Sequence, residues 1–283
     1  MKNLDSLKNL VKDLKGWVYG KEYPLLLGII AITLHFFEMQ FLGLAIYVFF
    51  ASLILLFIDD LTPILPLAFL VIFNFHDYGR TNEPIFFIIL APALICFIIH
   101  AFKYKKEEFK LGKFFAPQVC ICIALAVGGL FSIFISSYVN GLLQIIAFGP
   151  IVLFVYVYFL NYISPPKDFN LKKNLCYLIV VMAIVGSIEM ILMLTFKVKP
   201  DDLDKDLLGW GSMNVVATLI ILSIPCAFYL LTKSNYPSLY LLIISFLIFG
   251  VAISSSEACL GIGIVITLVC VIYSLVFVKK EPP

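Results

Sequence analysis

From about residue 24 onward the chain is written in long apolar runs separated by short polar ones. A helix needs roughly 20 apolar residues to cross a hydrocarbon core of about 30 Å. Runs of that kind predict spans over 84–102, 114–135, 142–163, 174–196, 212–232, 237–253 and 258–278. Residues 24–58 are apolar except for Glu38 and Gln40, a break that predicts a hairpin of spans over 18–37 and 41–58. A short span over 61–75 completes the set. Its length leaves a tilted or partly re-entrant piece open. The expected fold is all-α, a polytopic transmembrane bundle of about ten spans.

The lysines and arginines test this parsing, because cytoplasmic segments carry the excess. With the N-terminus inside, the inner segments 1–22, 59–60, 103–113, 164–173, 233–236 and 279–283 hold 16 of the 20 Lys and Arg residues. Arg80, Lys197, Lys199 and Lys205 fall outside. Both termini are therefore expected in the cytoplasm and the chain in the cell membrane. Residues 1–22 form a Lys-rich N-terminus, 23–196 the first seven spans, 197–211 a short acidic outer loop, 212–278 spans eight to ten, and 279–283 a cytoplasmic end. Trp17, Tyr19 and Tyr23 at the start of span one suit an interfacial belt. Pro92, Pro117, Pro150 and Pro225 lie within or near the spans, where neighbouring helices re-satisfy the freed carbonyls. No internal repeat supports an inverted-repeat transporter.

Composition agrees with the pattern. Of 283 residues, 62% are hydrophobic and 13% charged, against about 45–50% apolar and 25% charged in a soluble domain. Disorder is excluded by the aromatic content. A net charge of +2, with no basic tract interleaved with aromatics, gives no support for nucleic acid. The seven cysteines lie mostly inside apolar runs and lack metal-ligand spacing, so they are expected to be small buried hydrophobes and no metal site is expected. The first 22 residues lack the apolar core and small-residue cleavage site of a secretory signal.

Four places carry candidate chemistry. Leu208-Gly-Trp-Gly-Ser-Met-Asn214 opens span eight at the outer surface. Gly209 and Gly211 allow close approach of backbone to a ligand, Ser212 suits an N-cap, and the helix start offers free amides to an anion such as a lipid diphosphate. Asn214 is able to bond a phosphate or a sugar, and Trp210 is equally an interfacial anchor. Ser254, Ser255, Ser256 and Glu257 open span ten. Ser254-x-x-Glu257 is a capping-box pattern, and Glu257 would repel a phosphate there. Glu189 lies roughly 10 Å inside span seven, where a carboxylate is costly unless protonated or paired. His76, Asp77, Arg80 and Glu83 cluster between spans three and four. Arg80 is the one arginine, able to grip phosphate bidentately, and His76 beside Asp77 suits a general base; a solvated loop explains them as well. His35 and Glu38 share a face of span one, and His100 reads as an ordinary interfacial histidine.

The stretch from Leu208 to about Leu275 resembles the O-antigen ligase/O-antigen polymerase superfamily. The shared features are Leu208–Asn214, an apolar helix with Pro225 and Tyr229 ending at Lys233, a second apolar helix, and a Ser254-Ser-Ser256 motif followed by Glu257 and Ala258. The resemblance implies a polytopic glycosyltransferase that moves a glycan from an undecaprenyl-diphosphate carrier to an acceptor on the outer membrane face, with membrane lipids around it and no cofactor. It implies diphosphate or glycan contacts at Gly209, Trp210, Gly211, Ser212, Asn214, Ser254 and Ser256, with Arg80 as a supplement. Two departures matter. The family arginine is Glu257 here, and the family's long outer loop with its acting histidine has no counterpart before Pro283. An incomplete or inactive form is therefore expected. A transporter or flippase-like protein with Glu189 as coupling carboxylate, and a non-catalytic assembly subunit, remain as alternatives.

Overall fold

The computed structural model describes residues 11–37, 39–67, 84–131, 145–196, 213–254 and 256–277. Among them there are helices and no strand. The order is α1 over 11–18, α2 (Glu22–Phe36), α3 (Gln40–Phe57), a 3-10 turn (Thr62–Leu67), α4 (Pro84–Lys103), α5 (Phe115–Phe131), a π-turn (Ala147–Ile151) leading into α6 (Val152–Tyr162), α7 (Leu171–Phe196), α8 (Met213–Lys233), α9 (Pro237–Ile253) and α10 (Glu257–Phe277). Over the described residues each predicted span except 61–75 coincides with helix to within a few residues, the span over 142–163 as a π-turn running into α6; 132–135 and 142–144 lie outside the described residues. Of the span over 61–75 only the 3-10 turn is described; residues 68–75 lie outside the described residues. The turn begins at Thr62-Pro63 and carries Pro66 inside it, and the missing amide of proline blocks an α-helix here.

Of the helices, α7, α8 and α10 are long and apolar enough to cross a membrane. The outward faces carry Ile29, Phe49, Ile88, Leu222, Leu242, Leu268 and Leu275, all exposed. Soluble monomers rarely expose contiguous apolar patches beyond a few hundred Å², so the surrounding medium is apolar. In such a medium hydrophobic burial no longer drives helices together, and small residues that let backbones approach take over. That logic is visible at the centre, where α2, α7, α8 and α9 meet over Leu27, Ala31, Val181, Val185, Ile220 and Leu247. Gly28 abuts Val185, Gly186 abuts Val216, and Gly250 abuts Ser187 and Ile220. A second, smaller cluster joins α3, α4 and α6 through Leu55, Leu61, Cys96, Tyr158 and Tyr162.

The cysteines depart from expectation. Only Cys96 is fully buried; Cys120 is exposed and the rest are half-buried. They lie in apolar runs, but on faces that look outward as well as inward.

One end of the bundle gathers the lysines. There the Lys103 ammonium donates to the Leu56 carbonyl at 2.7 Å, the Lys110 amide donates to Asn161 at 2.7 Å, and the Tyr177 hydroxyl donates to the Lys21 carbonyl at 3.3 Å. Lys15 pairs with Asp59 at 3.5 Å. Lys106 stands over the Tyr162 ring and Lys172 over Tyr229. These contacts join the start of α2, the ends of α3, α4 and α6, the start of α7 and the end of α8.

Candidate functional site

The opposite end is where α2, α7 and α9 finish and α8 and α10 begin. Thr218, in the second turn of α8, and Cys259, in the first turn of α10, touch with Oγ1 and Sγ 3.9 Å apart. The amino ends of α8 and α10 are thus neighbours on the same side, separated in sequence by the α9 return. Each leaves its first amides without a partner inside the helix and carries the positive end of its dipole.

Glu189 is buried, its side chain 2% exposed, and its Oε1 lies 3.1 Å from His35 Nε2 on α2, itself 12% exposed. Spacing along α7 explains the pairing. Val185 and Glu189 are one turn apart and both face α2, the former against Gly28. Gly186 faces α8 at Val216, and Ser187 faces α9 at Gly250 while its hydroxyl donates to the Ala183 carbonyl at 2.8 Å. Because α7 and α8 run antiparallel with Gly186 beside Val216, Glu189 stands level with the first residue of α8. A buried carboxylate survives at that depth by sharing a proton or charge with the imidazole.

Other predicted residues fall differently. His76, Asp77, Arg80, Gly209, Trp210, Gly211 and Ser212 lie outside the described residues, as does Glu38. Asn214 is exposed in the first turn of α8, and Ser256 is half-buried just ahead of α10. Ser254 does not open α10. It is buried, closes α9 in a right-handed helical conformation, and donates to the Val251 carbonyl at 2.7 Å. The capping-box reading therefore fails: α10 starts at Glu257, exposed and favoured by the dipole, and the Ser256 carbonyl accepts the Leu260 amide at 2.8 Å. His35, expected to share a face with Glu38, lies against Glu189 across the helix interface; Glu38 is outside the described residues.

Two polar centres stand at the lysine-rich end, and the sequence reading missed the first of them and the partners of the second. Asp60 is 2% exposed. Its Oδ1 accepts the Thr62 amide at 3.1 Å, the Thr62 hydroxyl at 2.8 Å and the Ser164 amide at 2.8 Å, and its Oδ2 accepts the Tyr19 hydroxyl at 2.5 Å. Burial, and then the bond to Asp60, push the Tyr19 phenol well above its ordinary range. The signal was Asp60-x-Thr62-Pro63, a turn-forming pattern, but Tyr19 and Ser164 are distant in sequence. His100 is the second. It is wholly buried within the protein, with Nδ1 2.6 Å from the Tyr158 hydroxyl and its ring against Tyr104 and Tyr162. Beside Asp60 a cleft of about 40 Å³ is lined by Tyr19, Pro63, Pro66, Phe169 and Tyr177, room for a few waters and no more. Among the described residues no group of three or more His, Cys, Asp or Glu is arranged to hold a metal ion.

Comparison with known protein families, with curated proteins and with solved structures finds no match to this chain, so its function is argued from the arrangement above and from the sequence.

Proposed function

We propose that the chain is a multi-pass protein of the cell membrane with about ten crossings and the lysine-rich end in the cytoplasm. Its outward end handles a polyprenyl-diphosphate-linked glycan in the manner of O-antigen ligase-like glycosyltransferases. The observation that carries this reading is the contact between Thr218 and Cys259, because it brings two helix amino ends together at the end free of described lysines. Paired amino ends favour an anion, and a lipid diphosphate is the anion a membrane supplies there. The α8 start is the better seat. It is fed by the Leu208–Ser212 segment that carries the resemblance, whereas Glu257 puts a negative charge at the start of α10. Transfer of the glycan also calls for donors aimed at the leaving diphosphate, and the α8 amides are in position to supply part of them.

The test uses a photoreactive residue at position 214 or 256 in the membrane-embedded chain and a radiolabelled undecaprenyl-diphosphate glycan. Crosslinking from these positions and not from position 110 is expected. Absence of crosslinking, or equal crosslinking from position 110, rejects the reading. A second reading, a transporter coupled through Glu189, is favoured by the burial of that carboxylate against His35. It predicts that Glu189→Gln abolishes pH-coupled uptake in vesicles, an outcome the glycan reading does not produce.

A further inference from the structure

We propose that the loop between α4 and α5, residues 104–114, is a docking surface for anionic phospholipid headgroups in the leaflet at the lysine-rich end. This goes beyond the glycan-carrier reading, which concerns the opposite end, and rests only on the helices lying in a bilayer.

The loop joins two helices whose outward faces are apolar. Ile98, Ile99 and Phe102 are exposed on the last turns of α4, and Ile121 on the second turn of α5. Residues 104–114 therefore lie where the apolar band ends and the headgroups begin. Their sequence, Tyr104-Lys-Lys-Glu-Glu-Phe-Lys-Leu-Gly-Lys-Phe114, carries the two chemistries of that boundary. Phe109, Leu111 and Phe114 are exposed, Phe114 by 71%. Lys105, Lys110 and Lys113 are exposed between them, and among the described residues no lysine of the loop is in an ion pair.

The loop is held in shape from beneath by α6. Asn161 grips the backbone of Lys110, its side-chain oxygen accepting the Lys110 amide at 2.7 Å and its side-chain amide donating to the Lys110 carbonyl at 2.9 Å. The Tyr156 hydroxyl accepts the Phe114 amide at 3.3 Å. Gly112 has a φ of +74°, and a β-carbon there would collide with Tyr156 Oη and Leu160 Cδ2, so only glycine lets the backbone press this closely on α6. Lys106 is drawn over the Tyr162 ring. These contacts fix the backbone and leave the ammonium groups of Lys105, Lys110 and Lys113 to the surrounding medium. A loop already ordered loses little freedom when a ligand binds it.

Charge decides the partner. The loop sets four lysines against Glu107 and Glu108, and Lys103 stands directly before it. A basic cluster just beyond a membrane helix favours anionic lipid by about fivefold in affinity per lysine near the surface. A zwitterionic headgroup has no net charge to answer this excess. A small anion in solution would answer the lysines but leave Phe109, Leu111 and Phe114 in water, whereas a lipid covers them with its acyl chains.

The experiment uses the full chain in phosphatidylcholine nanodiscs with a trace of phosphatidylglycerol bearing a photoreactive headgroup, and maps the crosslinked peptides by mass spectrometry. Crosslinks concentrated on residues 104–114 are expected, displaced by added phosphatidylglycerol but not by added phosphatidylcholine or by glycerol phosphate in solution. Combining Lys105→Gln, Lys110→Gln and Lys113→Gln is expected to reduce them on the order of a hundredfold, while arginine at the same three positions keeps them. Combining Lys12→Gln, Lys167→Gln and Lys233→Gln removes the same charge from exposed positions elsewhere at that end and is expected to leave the loop crosslinks nearly unchanged. Loss in the arginine variant would mean that something other than charge holds the lipid, and overturns the proposal. So do crosslinks spread evenly over the lysine-rich end, displacement by phosphatidylcholine or glycerol phosphate, or equal loss in the two glutamine variants. None of these outcomes bears on the glycan-carrier reading, whose own test is made at the other end.

Discussion

The Asp60 carboxylate accepts the backbone amide of Ser164 at 2.8 Å, tying together segments 104 positions apart. The bond locks the chain leaving α3 to the chain leaving α6, and the Leu61 amide donating to the Tyr162 carbonyl at 3.0 Å doubles the tie. Asp60 thereby gathers four donors into one buried point. Asp60→Ala would leave the Ser164 amide, the Thr62 amide and two hydroxyls to find new acceptors. Each buried donor left unmet costs about 1–3 kcal/mol, and the hydroxyls are free to reorient, so a loss of about 2–4 kcal/mol is expected. Thermal unfolding in detergent of a background that keeps Cys96 as its one cysteine, followed by a thiol-reactive dye that reports Cys96 as it is uncovered, measures it. An unchanged midpoint would show that the knot is not a structural tie.

Tyr19 gives a pH dependence with a definite sign. Its phenol is held above the ordinary value of 10.0, first by burial and then by the bond to Asp60. The raised folded-state pKa means that its stabilising contribution is complete below about pH 10 and is lost as pH climbs beyond it, because the unfolded phenol ionises while the folded one resists. Tyr19→Phe lacks the bond at neutral pH and has nothing to ionise. Wild type is therefore expected to be the more stable at pH 8, by about 1 kcal/mol, and the gap to narrow as pH passes 10. A gap that stays constant or widens would contradict the assignment.

The helices were legible because apolar run length is a local signal, and a helix in an apolar medium has no amphipathic requirement to satisfy. Even Pro92 and Pro225, inside α4 and α8, left the boundaries intact. What the sequence did not disclose are pairings between distant residues. Glu189 was recognisable as a buried carboxylate, yet nothing local announces its neighbour His35, which helical spacing places on one face with Glu38. The fact that Val185 sits against Gly28, which turns Glu189 toward α2, has no local signature. Ser254 misled for the converse reason: its capping pattern is local and well formed, but its hydroxyl turns back to Val251 and ends α9. Asp60 looked like part of a two-residue connection, because two of its four donors, the Tyr19 hydroxyl and the Ser164 amide, come from segments distant in sequence.

Two glycines in neighbouring helices separate packing from helix propensity. A β-carbon on Gly250 would meet Ser187 Oγ at 2.7 Å and Ile220 Cδ1 at 3.2 Å, at the junction of α7, α8 and α9. One on Gly261 would meet nothing within 4 Å. Gly250→Val is expected to cost about 1–3 kcal/mol through overpacking. Gly261→Ala is expected to be neutral or to stabilise by up to about 1 kcal/mol through helix propensity. The same dye-based melting curve ranks the two, and equal shifts would mean that the three-helix junction is not closely packed.

The last prediction concerns sidedness, on which the functional reading depends. Lys110 is tied to the end of α6 through Asn161, whose side-chain amide also donates to the Lys110 carbonyl at 2.9 Å. Asn214 begins the other extremity of α8, a helix of 21 residues, so roughly 30 Å separates the level of Asn214 from that of Lys233 and the lysine-rich end. That is the thickness of a hydrocarbon core. Every described lysine lies at the Lys110 end, which the proposed orientation, following the positive-inside tendency, assigns to the cytoplasm. In a cysteine-free background, a cysteine at position 214 is therefore expected to react with a membrane-impermeant maleimide from outside intact cells, and one at position 110 only after permeabilisation. Reversal of the two would leave the α8 start facing the cytoplasm, away from an outward-facing glycan donor. Equal labelling of both from one side would mean that α8 does not cross.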